Sequence, residues 1–153
     1  MSRHAPPETW FSDRRLAFHC TKCGACCRRP GWVFVQPNEA VRIAKRLLGP
    51  NGTPRQLAGE LWVRGDDGDW QIEVEDGGAC PLLGEEGCTV HDIKPMQCAT
   101  YPFWPEILAT EADWIAEAFW CEGLRERSPE YSAEQVFDLL AECSRTRESD
   151  PER

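Results

Sequence analysis

Long apolar runs are missing from this chain. Its first twenty residues carry Arg3, His4, Asp13, Arg14 and Arg15 and none of the roughly 7 to 15 consecutive apolar residues that a signal peptide needs. No segment approaches the roughly 20 apolar residues of a membrane span. Both absences lead to the expectation of a cytoplasmic chain without a membrane partner. Positive charge is also short: 17 Lys and Arg stand against 26 Asp and Glu, a net charge of -9. Phosphates are repelled on average by such a chain, so general nucleic-acid binding is not expected. Cofactor motifs are lacking too. There is no G-x-G-x-x-G after a strand and no C-x3-C-x2-C, which argues against a self-contained transferase or radical enzyme. No internal repeat or long linker interrupts the 153 residues, a length that suits one domain with a modest core.

What the chain has instead is cysteine. Nine in 153 residues is about 6%, above ordinary usage yet short of the roughly 8 to 10% of a disulfide scaffold. Four of them crowd into Cys20-Thr21-Lys22-Cys23-Gly24-Ala25-Cys26-Cys27, and Cys80, Cys88, Cys98 and Cys121 follow, with Cys143 standing apart. A turn holding two cysteines two residues apart aims both sulfurs at one point, which suits zinc or an iron-sulfur cluster. Eight is the number for two four-sulfur sites and equally for four disulfides. In a reducing cytoplasm such clusters bind metal more often than they cross-link.

The adjacent Cys26 and Cys27 point apart in most backbone conformations, so different sites, or a packing role for one of them, are expected. Cys20-x2-Cys23-x2-Cys26 with a distant Cys80-Pro81 echoes the bacterial ferredoxin pattern, whereas zinc ligands usually arrive as two separated pairs. Spacing alone leaves both metals open. A basic run over residues 13–29, with Arg14, Arg15, Lys22, Arg28 and Arg29 against Asp13 alone, coincides with the knot. Such cations lower thiol pKa values and offset the charge near -2 that four thiolates leave around zinc or an oxidised four-iron cluster.

The rest of the chain reads as short elements. Residues 1–9 form a leader that docks at Trp10 or Phe11. Trp32-Val33-Phe34-Val35 is a buried strand ended by Pro37, after which Asn38 caps a helix with Val41, Ala44, Leu47 and Leu48 at helical spacing and Gly49 as its stop. Thr53-Pro54-Arg55-Gln56 starts a short helix. Residues 61–64 and 70–75 form a hairpin whose Trp70, Ile72 and Val74 alternate with polar residues. Asp66, Asp67 and Asp69 lie in its turn without the spacing or distal glutamate of a calcium loop. Residues 77–103 are punctuated by Gly, Pro and Cys and call for something other than a large apolar core to hold them. Residues 112–120 fit helix or strand. Ser132 and Gln135 make a capping box for a terminal helix whose buried face carries Val136, Leu139, Leu140 and Cys143, the last as a small core residue.

Together, Phe18-His-Cys-x2-Cys-Gly-Ala-Cys-Cys-Arg, Cys80-Pro-Leu-Leu, Cys88-Thr-Val-His-Asp-Ile-Lys-Pro-Met-Gln-Cys98, Tyr101-Pro-Phe-Trp and Cys121-Glu-Gly resemble the YkgJ-type cysteine cluster family. That family is described as a zinc- or iron-chelating domain, and its module also occurs in the flagellin lysine methylases. The resemblance implies that Cys20, Cys23, Cys26, Cys27, Cys80, Cys88, Cys98 and Cys121 are metal ligands, and it favours a 4Fe-4S cluster over zinc. Where members often carry tyrosine, arginine-proline and a further arginine, this chain has His91, Lys94-Pro95 and Ala99, so contacts made by that last arginine are not carried over.

The expected fold is a small, irregular, metal-stapled α+β domain with a short hairpin or sheet and two to four helices. Residues 10–127 hold the metal-binding part and 128–153 a C-terminal amphipathic helix and tail. The function read from this is a metal-organised module; an iron-sulfur enzyme of the methylase type, or a small redox protein, is the alternative. A catalytic Cys98–His91 pair ranks behind both, since nothing fixes its geometry. His19 and His91 are assigned to supporting positions around the sulfurs, and the tryptophans chiefly to core and cover.

Overall fold

Chain reversal at Pro37 shows how local chemistry sets the elements. The computed structural model describes residues 8–148, with side chains through Cys143; most of the leader lies outside the described residues. Proline has its φ preset for a helix and no N–H to satisfy, so it suits the first helical position. Helix α1 (Pro37–Leu48) therefore begins at Pro37, and its cap is Gln36 in a capping box with Glu39. The expected cap, Asn38, lies two residues later, inside the first turn. Gly49, at φ 101, ends the helix as expected.

Three small antiparallel sheets and five α-helices make up the described chain. Strand β1 (Leu16–Ala17) is followed by a short 3-10 turn at Cys26–Arg28, and then by β2 (Gly31–Val35) and α1. Next come β3 (Val63–Arg64) and β4 (Trp70–Val74), then β5 (Leu83–Gly84) and β6 (Gly87–Cys88). The C-terminal half holds α2 (Met96–Ala99), α3 (Pro105–Leu108), α4 (Glu111–Glu117), β7 (Glu130–Tyr131) and α5 (Ala133–Glu148). Strand β4 is central in the order β2-β4-β3, with Val33 opposite Ile72 and Val35 opposite Trp70. The hairpin and the alternation of Trp70, Ile72 and Val74 toward the core are as expected. In its turn Asp67 Oδ1 accepts from Asp69 N at 2.9 Å. The fold is α+β; α2 and α3 are single turns.

Two apolar masses result. One lies under the sheet and α1, built from Val35, Ile43, Trp62, Ile72 and Val90. The other is helical, joining Phe11, Phe103, Leu108 and Val136 and continuing into Tyr101, Trp104, Ile107 and Cys143. Cys143 is fully buried there, as expected. Residues 77–103 contribute more to these cores than their punctuation suggests, because Leu82, Val90, Tyr101 and Phe103 are all buried. Residues 112–120, ambiguous in sequence, are helical through Glu117 and end in a turn; Thr110 Oγ1 accepts from Asp113 N at 3.1 Å and fixes the start of α4. Cys80 and Cys88 pack against the sheet core, while Cys26 and Cys121 belong to the helical mass. The sulfurs occupy the seam.

Candidate metal centre

Two left-handed residues shape the knot. Lys22 at φ 61 and Gly24 at φ 83 turn the chain back between successive cysteines, and Cys27 N then donates to Gly24 O at 3.1 Å to close the turn. A left-handed conformation costs a residue with a Cβ roughly 1 kcal/mol, so surrounding contacts must hold Lys22 there. They do: at Gly87, itself at φ 106, an added Cβ would lie 2.8 Å from Lys22 Cβ and 3.1 Å from its carbonyl oxygen. The β5–β6 turn thus presses directly on the knot.

On the opposite flank, His19 N donates to Gly123 O at 3.1 Å, and a Cβ at Gly123 would lie 2.4 Å from His19 O. The obstacle is backbone and cannot rotate away. Gly123→Ala is therefore expected to destabilise the fold by about 1–3 kcal/mol and to part Cys121 from the knot. Thermal melting together with metal content of the purified variant checks this, and unchanged values for both would refute the clamp.

The remaining cysteines arrive on separate supports. Cys80 N donates to Cys27 O at 2.6 Å, and Cys88 ends β6. Cys98 rides on α2, whose neighbour Gln97 imitates a strand along the sheet edge. Gln97 Oε1 accepts from Phe34 N at 3.0 Å and its Nε2 donates to Trp32 O at 3.1 Å. Cys121 follows the end of α4. All eight of Cys20, Cys23, Cys26, Cys27, Cys80, Cys88, Cys98 and Cys121 line one cavity of about 60 Å³, walled also by Phe18, Val33, Ile72, Val74 and Leu82. All eight are free thiols.

Inside the cavity the adjacent pair does not diverge. Cys27 contacts Cys26 and also Cys88 by hydrogen bonds, because the 3-10 turn swings both knot sulfurs inward. Cys27 shares its proton with two acceptors, so its thiol is pushed up, while Cys26 falls to about 7 and Cys88 to about 6. Lys94 adds to both falls against the opposing effect of burial. Burial pushes the Cys80, Cys98 and Cys121 thiols up.

His91 Nε2 lies 3.3 Å from Cys20 Sγ and 3.4 Å from Lys94 Nζ. It thus faces Cys20 rather than Cys98, which gives the nucleophilic pairing no support. Burial and the nearby Lys94 and Lys22 charges lower its pKa. The ring is therefore neutral near pH 7, able to serve the sulfur beside it.

Sequence reasoning missed a polar network at the Cys121 end. The Tyr101 hydroxyl donates to Glu117 Oε1 at 2.6 Å, Arg29 pairs with the same oxygen, and the Arg29 guanidinium lies 5.9 Å from the Trp104 ring centroid. Burial and the Glu117 carboxylate push the Tyr101 hydroxyl up, and Tyr101 also reaches Cys121. The Tyr-Pro-Phe-Trp motif pointed to Tyr101, but Glu117 sits in a segment that carried no signal.

The donor chemistry fits a thiolate-bound group, since eight sulfurs and one imidazole share a cavity edged by Lys22 and Lys94. The sulfurs surround a space. The model of the CxxCxxCC family, described as a putative zinc- or iron-chelating domain, matches residues 19–122, more than half of the chain. The chain belongs to the CxxCxxCC family.

The CxxCxxCC span opens one residue before Cys20 and closes one residue after Cys121, so it encloses all eight cavity cysteines and leaves Cys143 outside. Zinc or iron chelation is the property that goes with this membership. Comparisons with curated proteins and with solved structures found no match. Among the described residues no helix is long and apolar enough to cross a membrane.

Proposed function

We propose that Cys20, Cys23, Cys26, Cys27, Cys80, Cys88, Cys98 and Cys121 form the pool of thiolate ligands, four to each bound group, of a metal-binding centre that staples the sheet to the helical half, with 4Fe-4S preferred to zinc. The observation that carries this reading is the shared cavity, which gathers sulfurs from five separate stretches of chain. The preference rests on spacing: Cys20-x2-Cys23-x2-Cys26 with a distant Cys80-Pro81 echoes the bacterial ferredoxin pattern, whereas zinc ligands usually arrive as two separated pairs. When bound, a cluster would supply a fixed negative charge and a one-electron couple. Lys94 and Lys22 would offset that charge, while the apolar walls would exclude water.

Anaerobic purification followed by a visible spectrum and iron, sulfide and zinc analysis tests the reading. A brown protein with iron and sulfide in equal amounts and little zinc is the expected result. A colourless protein with stoichiometric zinc and no sulfide would remove the cluster, and a chain that takes up neither metal would remove the centre itself.

A further inference from the structure

The basic run at residues 13–29 is dispersed by folding, and what it leaves behind is informative. Arg14 pairs with Glu111 and Arg29 with Glu117, while Lys22 lines the sulfur cavity. Arg28 is exposed, with no acidic partner among the described residues. Together with Arg125, Trp120 and Cys23 it lines an open groove of about 340 Å³. The Arg125 guanidinium donates to Ala118 O at 2.9 Å and Phe119 O at 3.4 Å, which fixes its position without neutralising its charge. Glu122 also lines the groove, where its carboxylate accepts from the Thr21 hydroxyl at 2.6 Å.

Beside this groove stands an apolar ridge at the end of α4. Ile115 is 53% exposed, Phe119 81% and Trp120 69%, and these three exceed every other large apolar side chain among the described residues. Past Trp120 lies a second groove of about 180 Å³, lined by Arg29, Tyr101 and Glu117. Amphipathic helices turn such residues inward. A contiguous patch that does the reverse marks an interaction surface, and Trp and Arg are the residue types that dominate binding energy at such surfaces.

We propose that this ridge docks an acidic segment of a partner protein, with an apolar side chain on Trp120 and Phe119 and carboxylates on Arg28 and Arg125. Charge complementarity selects the occupant: the patch is locally cationic on a chain of net charge -9, so it favours anions at short range. The same net charge opposes a long polyanion, and an apolar ridge between point charges is not a phosphate-tracking stripe. The location adds a consequence. Cys23 is the exposed one of the eight cavity cysteines and lines the groove, so a bound partner covers it.

The test uses the purified full chain and a fluorescent synthetic peptide alternating glutamate with leucine and phenylalanine, with a lysine-for-glutamate peptide as its counterpart. Fluorescence anisotropy should show binding of the acidic peptide only. Its Kd should rise at least tenfold for Trp120→Ser and for Arg28→Glu, two exposed positions whose variants should melt like the parent. Equal binding of the lysine peptide, or unchanged affinity in both variants, would overturn the proposal. So would displacement of the peptide by a single-stranded oligonucleotide, which points to nucleic acid, or a concentration-dependent dimer lost in Trp120→Ser, which points to a second copy. The inference goes beyond the metal reading and does not need it; a zinc-loaded, colourless protein would leave it standing.

Discussion

Stripping the metal from the purified protein is expected to abolish its cooperative unfolding transition, not merely to lower it by a few degrees. Metal binding at structural thiolate sites is worth about 10–16 kcal/mol, as large as the roughly 5–15 kcal/mol by which a whole domain is stable. The sulfurs sit at the seam between the sheet core and the helical mass. Between Cys80 and Cys98 the regular structure consists of two-residue strands, one 3-10 turn and the start of α2. Calorimetry with and without a strong chelator should show the sharp transition disappear. Hydrogen exchange should show residues 77–103 unprotected and the protection of β2, β4 and α1 reduced, since Leu82 and Val90 complete the core beneath them. A chelated protein that still melts sharply within a few degrees of the loaded one would sink the staple.

The pH dependence has a definite sign. Cys80, Cys98 and Cys121 have thiols raised by burial, and Cys27 is held protonated between Cys26 and Cys88. Ligation requires thiolates, so loading expels these protons and strengthens as pH rises. Cys26 and Cys88, near 7 and near 6, are mostly ionised by pH 8 and oppose loading only when pH falls through that range. Less chelator should therefore suffice to unload the protein at pH 6 than at pH 8.

The cysteines were legible because their chemistry admits few substitutes: the C-x2-C-x2-C-C knot and its four distant partners name themselves before any geometry is known. Their orientation was not legible. Whether Cys26 and Cys27 diverge depends on a single 3-10 turn, which Lys22 in a left-handed conformation makes possible, and a lysine carries no such signal. Strand β4 was readable from its alternation, since only one face meets a core. Helix α4 was not, because Ile115 faces outward beside the inward-packed Trp114 and blurs the periodicity that betrays a helix. Glu117 and Glu39 were hidden for a related reason. A buried carboxylate is defined by partners from distant segments, and the sequence around each of them looks like ordinary helix surface.

Glu39 carries the second large effect. Its side chain is buried at 5% exposure. One oxygen accepts from Gln36 N at 3.0 Å and the other from Met96 N at 2.9 Å. A single carboxylate thus caps α1 and, across 57 residues of sequence, the first turn of α2, which carries Cys98. Glu39→Ala orphans two backbone donors, each at about 1–3 kcal/mol, so a loss on the order of 3 kcal/mol is expected. In a domain of this size that corresponds to a fall in Tm of about 6–12 °C. Glu39→Gln keeps one acceptor and turns the other into a donor facing an N–H, so it should lie between the parent and the alanine variant.

Glu60→Ala, on the exposed surface, should change nothing. Because α2 supports Cys98, Glu39→Ala should also lower metal content and raise the rate of Cys98 alkylation, read by peptide mass spectrometry. A Tm fall without faster labelling of Cys98 would reduce Glu39 to a helix cap, and equal Tm values for Glu39→Ala and Glu60→Ala would refute both roles.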